Sequence, residues 1–464
     1  FTTQRLGGAD MTITLRSLGG AGTVTGSKHL LTADGRNYLI DCGLFQGLKV
    51  LRERNWRPLP VDPRAIEAVL LTHAHLDHSG YLPKFVREGF ERLVWCTPAT
   101  ADLCAILLRD AAHLAEADAD RANRKGYSKH KPAVPLFTRE DAERALKRLR
   151  SIPFGASNRL PGIDGVDFQH AGHILGAASL KIRASGVTIL FSGDLGRYGD
   201  AVMLDPALAG AADYVVVEST YGHRLHDAAD ATNALGDIVE RTVKRGGTVV
   251  IPAFAVGRAQ ALLFHLWKLR AAGRLKNVPV FLNSPMAGDA TELMPRHPRD
   301  HRLPPDVCRD AFKTAICVTD VEASKALNAS SEPKVIISAS GMATGGRGLH
   351  HIKAFGPEAK NTILFAGYQA VGTRGARLLA GETEIKMFGQ WVPIRAEIAN
   401  LPELSAHADA GEIIRWLRGF EKPPRRTFIV HGEPDASDAL RVRIERELGW
   451  DAAVVDDQRR YELA

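Results

Sequence analysis

The sequence predicts an α/β protein in which one domain interrupts another. Three observations carry this. From Ile13 to Phe45 short apolar runs alternate with Gly-rich turns, and on to Glu218 strand-like runs exit into polar residues: Asp41 in YLIDCG, LTHAHLDHSG after AIEAVL, His173 in AGHILG, Asp194 in FSGDLG and Glu218 in VVVESTYG. Beyond about residue 223, helical stretches alternate with fully apolar strands: GTVVIPAF, VPVFLN, KVIISAS and NTILFAG. Strands of that kind between helices indicate a parallel sheet covered on both faces, a doubly wound α/β domain. Near residue 404 the first pattern returns, with His407 in LSAHAD and His431 in TFIVHGE. The expected division is residues 11–222 with 405–464 as one domain and 223–404 as the insert.

The elements follow in order. Residues 1–10, FTTQRLGGAD, lack clear periodicity and read as an extension outside the fold. SLGGAGTVTGS and LLTADGRNYLIDCG read as strands at a sheet edge. AIEAVLL reads as a buried strand, so the imidazoles after it fall in a loop, where ligand sites are usually carried. AAHLAEADADRANRKG and TREDAERALKRLRSI read as helices joined by the Pro-containing link HKPAVP. VDFQHAGHILGAASLKI, GVTILFSGDLG and ADYVVVESTYG are strand-like. After the insert, EIIRWLRGF reads as a helix and TFIVHGE as a strand. The chain shows no internal repeat and no low-complexity tract.

At 464 residues the chain is long enough for two domains with sizeable cores. Its 45% hydrophobic and 24% charged residues give an ordinary globular balance. No apolar run approaches the ~18 residues that span a bilayer, so no membrane partner is expected. Five scattered cysteines and no C-x-x-C pair argue against a disulfide framework and for a reducing, cytoplasmic compartment. Any metal must therefore rest on His and Asp. The net charge of +7 fits either a plain basic protein or one with a polyanionic partner. RANRKGYSKHK (121–131) and RHPRDHR (296–302) concentrate that charge, although each can equally be a solvated face.

LTHAHLDHSG places His73, His75, Asp77 and His78 within six positions. Zinc accepts imidazole nitrogen and carboxylate oxygen, and a catalytic site keeps one position open. His73 and His75 are two apart and point the same way on extended chain. Asp77 and His78 follow after a turn and can face a second ion. With His173, Asp194 and His431, seven ligands would hold two ions ~3.5–4 Å apart, Asp194 bridging. One His-x-His is a weak signal, but H-x-H-x-D-H directly after a strand, with three further ligands at strand exits, is a strong one. The expected cofactor is two Zn2+, with Mn2+ or another divalent ion as the alternative.

The pattern His73-x-His75-x-Asp77-His78, with Asp41, His173 and Asp194, resembles the metallo-β-lactamase superfamily. VVVESTYGHRLH, LSAHAD and IVHGE resemble the three extra motifs of the β-CASP nucleases. The resemblance spans essentially 11–464 and includes IPAFAVGRAQ, NSPMA, SGMATGGRG and GYQAVGTRGA of the insert. It implies an αββα sandwich with a dinuclear zinc site along one edge, interrupted by a doubly wound parallel-sheet β-CASP domain. It is most similar to the RNA-processing branch, as a minimal two-domain core. The last motif carries His431, as in RNA-acting members, where DNA-repair members tend to carry Val.

The resemblance also implies roles. His73, His75 and His173 would hold one zinc, Asp77, His78 and His431 the other, with Asp194 bridging. His407, Glu218, Asp77 and Asp41 form the expected catalytic set. His407 would protonate the leaving 3′-oxygen, Glu218 would orient it, and Asp41 would accept from a ligand imidazole. The expected activity is hydrolysis of single-stranded RNA to 5′-phosphate and 3′-hydroxyl ends. His29, His113 and His265 are expected to pack or face solvent.

SASGMATGGRG (338–348) follows an apolar strand and precedes a helix. Its glycines let backbone amides approach an anion, though tight packing explains such turns as well. Ser340, Gly341, Thr344, Gly345, Gly346 and Arg347 are therefore expected phosphate contacts, with Arg258 and Arg374 as weaker ones. No Walker motif implies ATP. A thioesterase-like small-molecule metallo-hydrolase and a non-enzymatic RNA-binding scaffold are the competing readings. A redox diiron protein is disfavoured, because His75 stands where Glu is expected. Endonuclease against 5′-exonuclease action and homodimer against monomer stay open.

Overall fold

The computed structural model describes residues 12–126, 130–226, 230–370 and 372–464. The expected extension 1–10, Tyr127, Ser128 and Lys129 of the first basic run, and Val371 of GYQAVGTRGA lie outside the described residues. The chain divides into two compact units. One comprises the residues up to Tyr198 with Asp205–Leu225 and His407–Ala464, the other Gly199–Leu204 with His226–Ala406.

Among the described residues, the first unit holds two seven-stranded sheets. One runs Arg460–Leu463, Ile13–Gly19, Lys28–Ala33, Arg36–Ile40, Ile66–Leu70, Leu93–Cys96, Leu149–Ser151. The other runs Ala452–Val454, Arg426–Val430, Tyr214–Glu218, Val187–Phe191, Ala178–Ala184, Ile163–His170, Ser157–Leu160. Their facing sides share one core, in which Leu15, Leu31 and Tyr38 meet Leu180, Ile182 and Phe428. On the outer side of the second sheet, Ile413, Trp416 and Leu440 pack on Leu190, Val215 and Ile429. The amphipathic helix Pro98–Lys125 runs beside the first sheet. The result is a helix–sheet–sheet–helix sandwich.

Three sequence expectations are corrected here. Ile13–Gly19 and Lys28–Ala33 are interior strands, because Arg460–Leu463 pairs antiparallel outside Ile13–Gly19 and closes that edge. The helix read from Ala111 starts at Pro98, capped by the Thr97 side chain, and stops at Gly126 with φ 65°. The helix Arg139–Leu146 ends early, because Leu149–Ser151 pairs parallel with Leu93–Cys96 and sheet pairing overrides local propensity.

The second unit is built on a six-stranded sheet in the order Ile316–Cys317, Val280–Asn283, Val335–Ala339, Val249–Ala253, Thr362–Phe365, Glu397–Asn400. Every neighbouring pair is parallel. Leu262, Leu263 and Leu266 cover one face over Val249, Ile251 and Ile337. Leu349, Ile352 and Phe355 cover the other over Val250, Ile336 and Ile363. This is a doubly wound domain. Two features go beyond the sequence reading. Gly199–Leu204 belongs to this unit, because Met203 bridges to His301 and Arg302 N donates to Val202 O at 2.9 Å. A hairpin, Glu384–Met387 with Gln390–Pro393, buries Ile385, Met387 and Val392 in the second core.

Candidate metal centre

The site assembles on loops that leave the strands of the first unit. Ile66–Leu70 delivers Thr72, His73 and His75, and the single turn Leu76–Ser79 carries Asp77 and His78. Main-chain bonds fix this loop: Cys42 N to His78 O (2.7 Å), Ser27 N to Asp77 O (2.8 Å) and Leu44 N to Leu76 O (2.8 Å). A Cβ at Gly43 would fall 1.6 Å from the Asp77 carbonyl, so only glycine permits this approach. His173 lies in the loop between Ile163–His170 and Ala178–Ala184. Thr97 and Thr100 hydroxyls both donate to Gly176 O (2.7 and 2.9 Å), tying that loop to a helix N-terminus. His431 follows Arg426–Val430 directly, at φ 51°.

Two groups of donor atoms converge. His75 Nδ1 lies 3.2 Å from both His73 Nε2 and His173 Nε2. Asp194 Oδ2 is 3.6 and 3.7 Å from those same Nε2 atoms. In the other group, His78 Nε2 and His431 Nε2 are 3.2 Å apart, and Asp77 Oδ2 is 3.5 Å from His431 Nε2. Asp194 turns its second oxygen to this group, with Oδ1 3.3 Å from His78 Nε2.

These spacings fit divalent metal. A tetrahedral ion with metal–nitrogen bonds of about 2.0–2.1 Å has ligand–ligand edges of about 3.3 Å. Asp194 is 2% exposed, and its Oδ1 accepts no hydrogen bond. A buried carboxylate so placed needs cations, and two groups facing its two oxygens supply room for them. The donor set, imidazole with carboxylate and no thiolate, suits zinc and also manganese.

Burial and charge set the protonation. Burial pushes His73 and His75 below the usual imidazole range, towards the neutral form that ligates metal. Burial opposes charge on His78 too, but Asp194 and Asp41 override it and hold its pKa well above normal. Asp194 is likewise held well below the carboxylate range, against burial, by His431, His78 and His73.

Asp41, at φ 60°, accepts from Thr72 N (2.7 Å), Thr72 Oγ1 (2.8 Å) and His78 Nδ1 (2.7 Å). The His78 Nδ1 proton is thereby committed to Asp41, and Nε2 faces the cluster. Sequence reading missed Thr72; a hydroxyl just before His73 was its only signal. It also missed Thr97, Thr100 and Thr220, whose Oγ1 sits 3.2 Å from His431 Nδ1.

His407 stands beside the cluster rather than within either group. Its Nδ1 is 3.2 and 3.3 Å from the Glu218 oxygens and 3.9 Å from Asp194 Oδ2. Glu218 is fully buried and fixed by Leu195 N (2.6 Å) and Thr220 N (3.3 Å). Burial works against charge on His407, yet Glu218, with Asp194 and Asp77, raises its pKa above the usual value. The His407 side chain keeps 17% exposure, so this ring reaches the surface of the site.

The glycine-rich loop of the second unit is organised differently. Ser340, at φ 100°, accepts from Thr344 N (2.9 Å) and Gly345 N (3.1 Å), so its own hydroxyl fills amides read as phosphate donors. Gly341 packs against Phe254, and Gly346 (φ 66°) opens the following helix. Arg347 donates to Asn283 Oδ1 (2.8 Å), Val318 O (3.0 Å) and Thr319 O (2.5 Å). Arg374 donates to Lys386 O (2.9 Å) and Thr344 O (3.2 Å). Both guanidiniums brace loops of their own unit. Arg258 is buried, with its guanidinium against Gly367.

The sandwich and its ligand loops define a metallo-β-lactamase-type metallo-hydrolase fold. Family models match accordingly: the metallo-beta-lactamase superfamily over residues 24–250, the Beta-Casp domain over 259–378 and the Zn-dependent metallo-hydrolase RNA specificity domain over 391–455. Ribonuclease TTHA0252 of Thermus thermophilus is 40% identical, over 91% of this chain and 94% of that protein. The RNase J-like protein of Methanocaldococcus jannaschii is 31% identical, over 88% and 90%. The transcription termination factor FttA of the same organism is 30% identical, over 93% and 69%. A crystal structure of a protein of unknown function from Enterococcus faecalis shares the fold, with TM-score 0.54 and 15% identity over 97% of this chain and all of that one. The chain belongs to the β-CASP family of the metallo-β-lactamase superfamily.

Proposed function

We propose that this protein is a metal-dependent ribonuclease that hydrolyses phosphodiester bonds of single-stranded RNA to 5′-phosphate and 3′-hydroxyl ends, in cytoplasmic RNA processing or decay. The observation that carries this is the pair of donor groups that the two oxygens of Asp194 face, with the His407–Glu218 pair alongside. On this reading His73, His75 and His173 would hold one zinc ion and Asp77, His78 and His431 a second, and Asp194 would serve both. When bound, such an ion pair supplies a water nucleophile at neutral pH and offsets charge on the phosphate.

The chain's own residues do the rest. Asp41 fixes the His78 tautomer and so the direction of Nε2. Glu218 accepts from His407 Nδ1, which leaves Nε2 to carry the transferable proton. As the P–O3′ bond breaks, His407 gives that proton to the departing 3′-oxygen. All five cysteines are free, four of them buried, in keeping with a reducing compartment. No helix among the described residues is long and apolar enough to cross a membrane.

The test is cleavage of one end-labelled RNA and its circularised form by protein of measured metal content. Chelator-sensitive cleavage leaving 5′-phosphates supports the reading, and cutting of the circle identifies endonuclease action. Hydrolysis of a generic thioester with no RNA cleavage would replace it with the small-molecule reading.

A further inference from the structure

The hairpin of the second unit carries two large aromatic side chains in solvent. Phe388, at its tip, is 48% exposed, and Trp391 is 56% exposed. Beneath them Ile385, Met387 and Val392 are buried, so the hairpin is anchored to the second core. Lys386 pairs in register with Trp391 and shares that outer face. Glu384 lies at the far end, opposite Pro393.

The tip shows a local conflict between sequence and backbone. Phe388 and Gly389 have φ 51° and 83°, both left-handed, as in a tight two-residue hairpin turn. Asn or Gly is the ordinary first residue there, and a bulky side chain is strained. The ring that causes the strain is not buried. It stacks on His350, with centroids 4.3 Å apart and planes at 25°, and Lys353 Nζ lies 5.8 Å from its centre. Lys353 also donates to Gln390 Oε1 (3.1 Å), and Arg374 Nε holds Lys386 O (2.9 Å). The fold therefore holds an aromatic ring outward, on a cationic support, at the expense of backbone comfort. Strain kept in this way marks functional positions.

We propose that the outer face of this hairpin, Phe388 and Trp391 with His350, Lys353 and Lys386, is a stacking surface for bases of single-stranded RNA. Aromatic faces take any base, and neighbouring cations meet the phosphates, which is the composition of sequence-tolerant single-strand binders. This inference rests on the ribonuclease reading above, because it assumes an RNA substrate.

The experiment measures binding of a labelled single-stranded RNA to the full chain in chelator, and of an equally long abasic ribose-phosphate strand. Trp391→Ala should weaken binding of the RNA by roughly 5- to 100-fold and leave the abasic strand unchanged. Phe388→Asn should lose RNA affinity while keeping or raising the melting temperature, because Asn suits the turn. Unchanged RNA affinity in both variants, or equal losses on the two strands, would overturn the proposal. So would a lower melting temperature of Phe388→Asn, which would make the ring a packing residue. If light scattering instead shows Trp391→Ala dissociating a dimer, the surface joins two copies of the chain and the proposal fails. Cleavage by the metal-loaded wild type is measured in parallel: its absence counts against the ribonuclease reading alone.

Discussion

Two loops at strand ends read as binding loops from sequence, and the structure treats them in opposite ways. In LTHAHLDHSG, loop amides and carbonyls are used internally, and the side chains converge on one another at 3.2 Å. In SASGMATGGRG, Ser340 takes two loop amides, and the guanidiniums of Arg347 and Arg374 grip protein oxygens. The first loop is built to hold its side chains towards something else. The second is largely satisfied by itself. Side-chain chemistry announces a site in the sequence, whereas backbone donors and long flexible cations declare themselves only in three dimensions.

The sharpest attempt to break this contrast is Asp194→Ala. It removes the carboxylate that faces both donor groups, so cleavage should fall below detection while the circular dichroism spectrum stays that of a folded protein. Full activity with verified metal content would end the two-ion assignment. His407→Ala should retain metal and lose about 10²–10⁴-fold in the chemical step. A 3′-phosphorothiolate substrate, whose sulfur leaves without needing a proton, should recover much of that loss, and Glu218→Gln should show a milder version. An equal defect on both substrates would make His407 positional.

Asp41→Asn tests the support of a ligand rather than the ligand. Metal affinity should drop about 10–100-fold, read by chelator competition. Protons should compete for the same place. Because Asp194 and Asp41 hold the His78 pKa above 6.5, metal-free protein binds a proton there that metal must displace. Metal affinity should therefore begin to fall above pH 6.5 as pH is lowered; affinity flat from pH 8 to 6 would contradict this. The smallest effect is expected in the second loop. Ser340→Ala should destabilise the protein by about 1 kcal/mol, seen in denaturant melts, and change cleavage by only a few fold. A hundredfold activity loss at unchanged stability would return that loop to the substrate.

Much of the centre was legible because ligand chemistry resides in residue identity. His73, His75, Asp77 and His78 stand close in sequence, and His173, Asp194 and His431 each follow an apolar run. The alternation of helices with fully apolar strands likewise disclosed the parallel sheet of the second unit. What stayed hidden depends on partners far away along the chain. Nothing near Ile13 shows that its outer neighbour is Leu463, and nothing near Thr97 shows that its hydroxyl reaches Gly176. Nor does Arg347 reveal that its guanidinium donates to Val318 O and Thr319 O.

The closure of the first sheet by Arg460–Leu463 has a consequence for synthesis. A chain leaving the ribosome displays His73, His75, Asp77, His78, His173 and Asp194 early, but His407 and His431 arrive only after the entire second unit. At about 5–20 residues per second, the gap between Asp194 and His431 lasts roughly 10–50 s. Throughout that interval the growing chain lacks His407 and His431, and the strand Ile13–Gly19 has an open edge. The proposed site therefore cannot assemble until the whole second unit has been made.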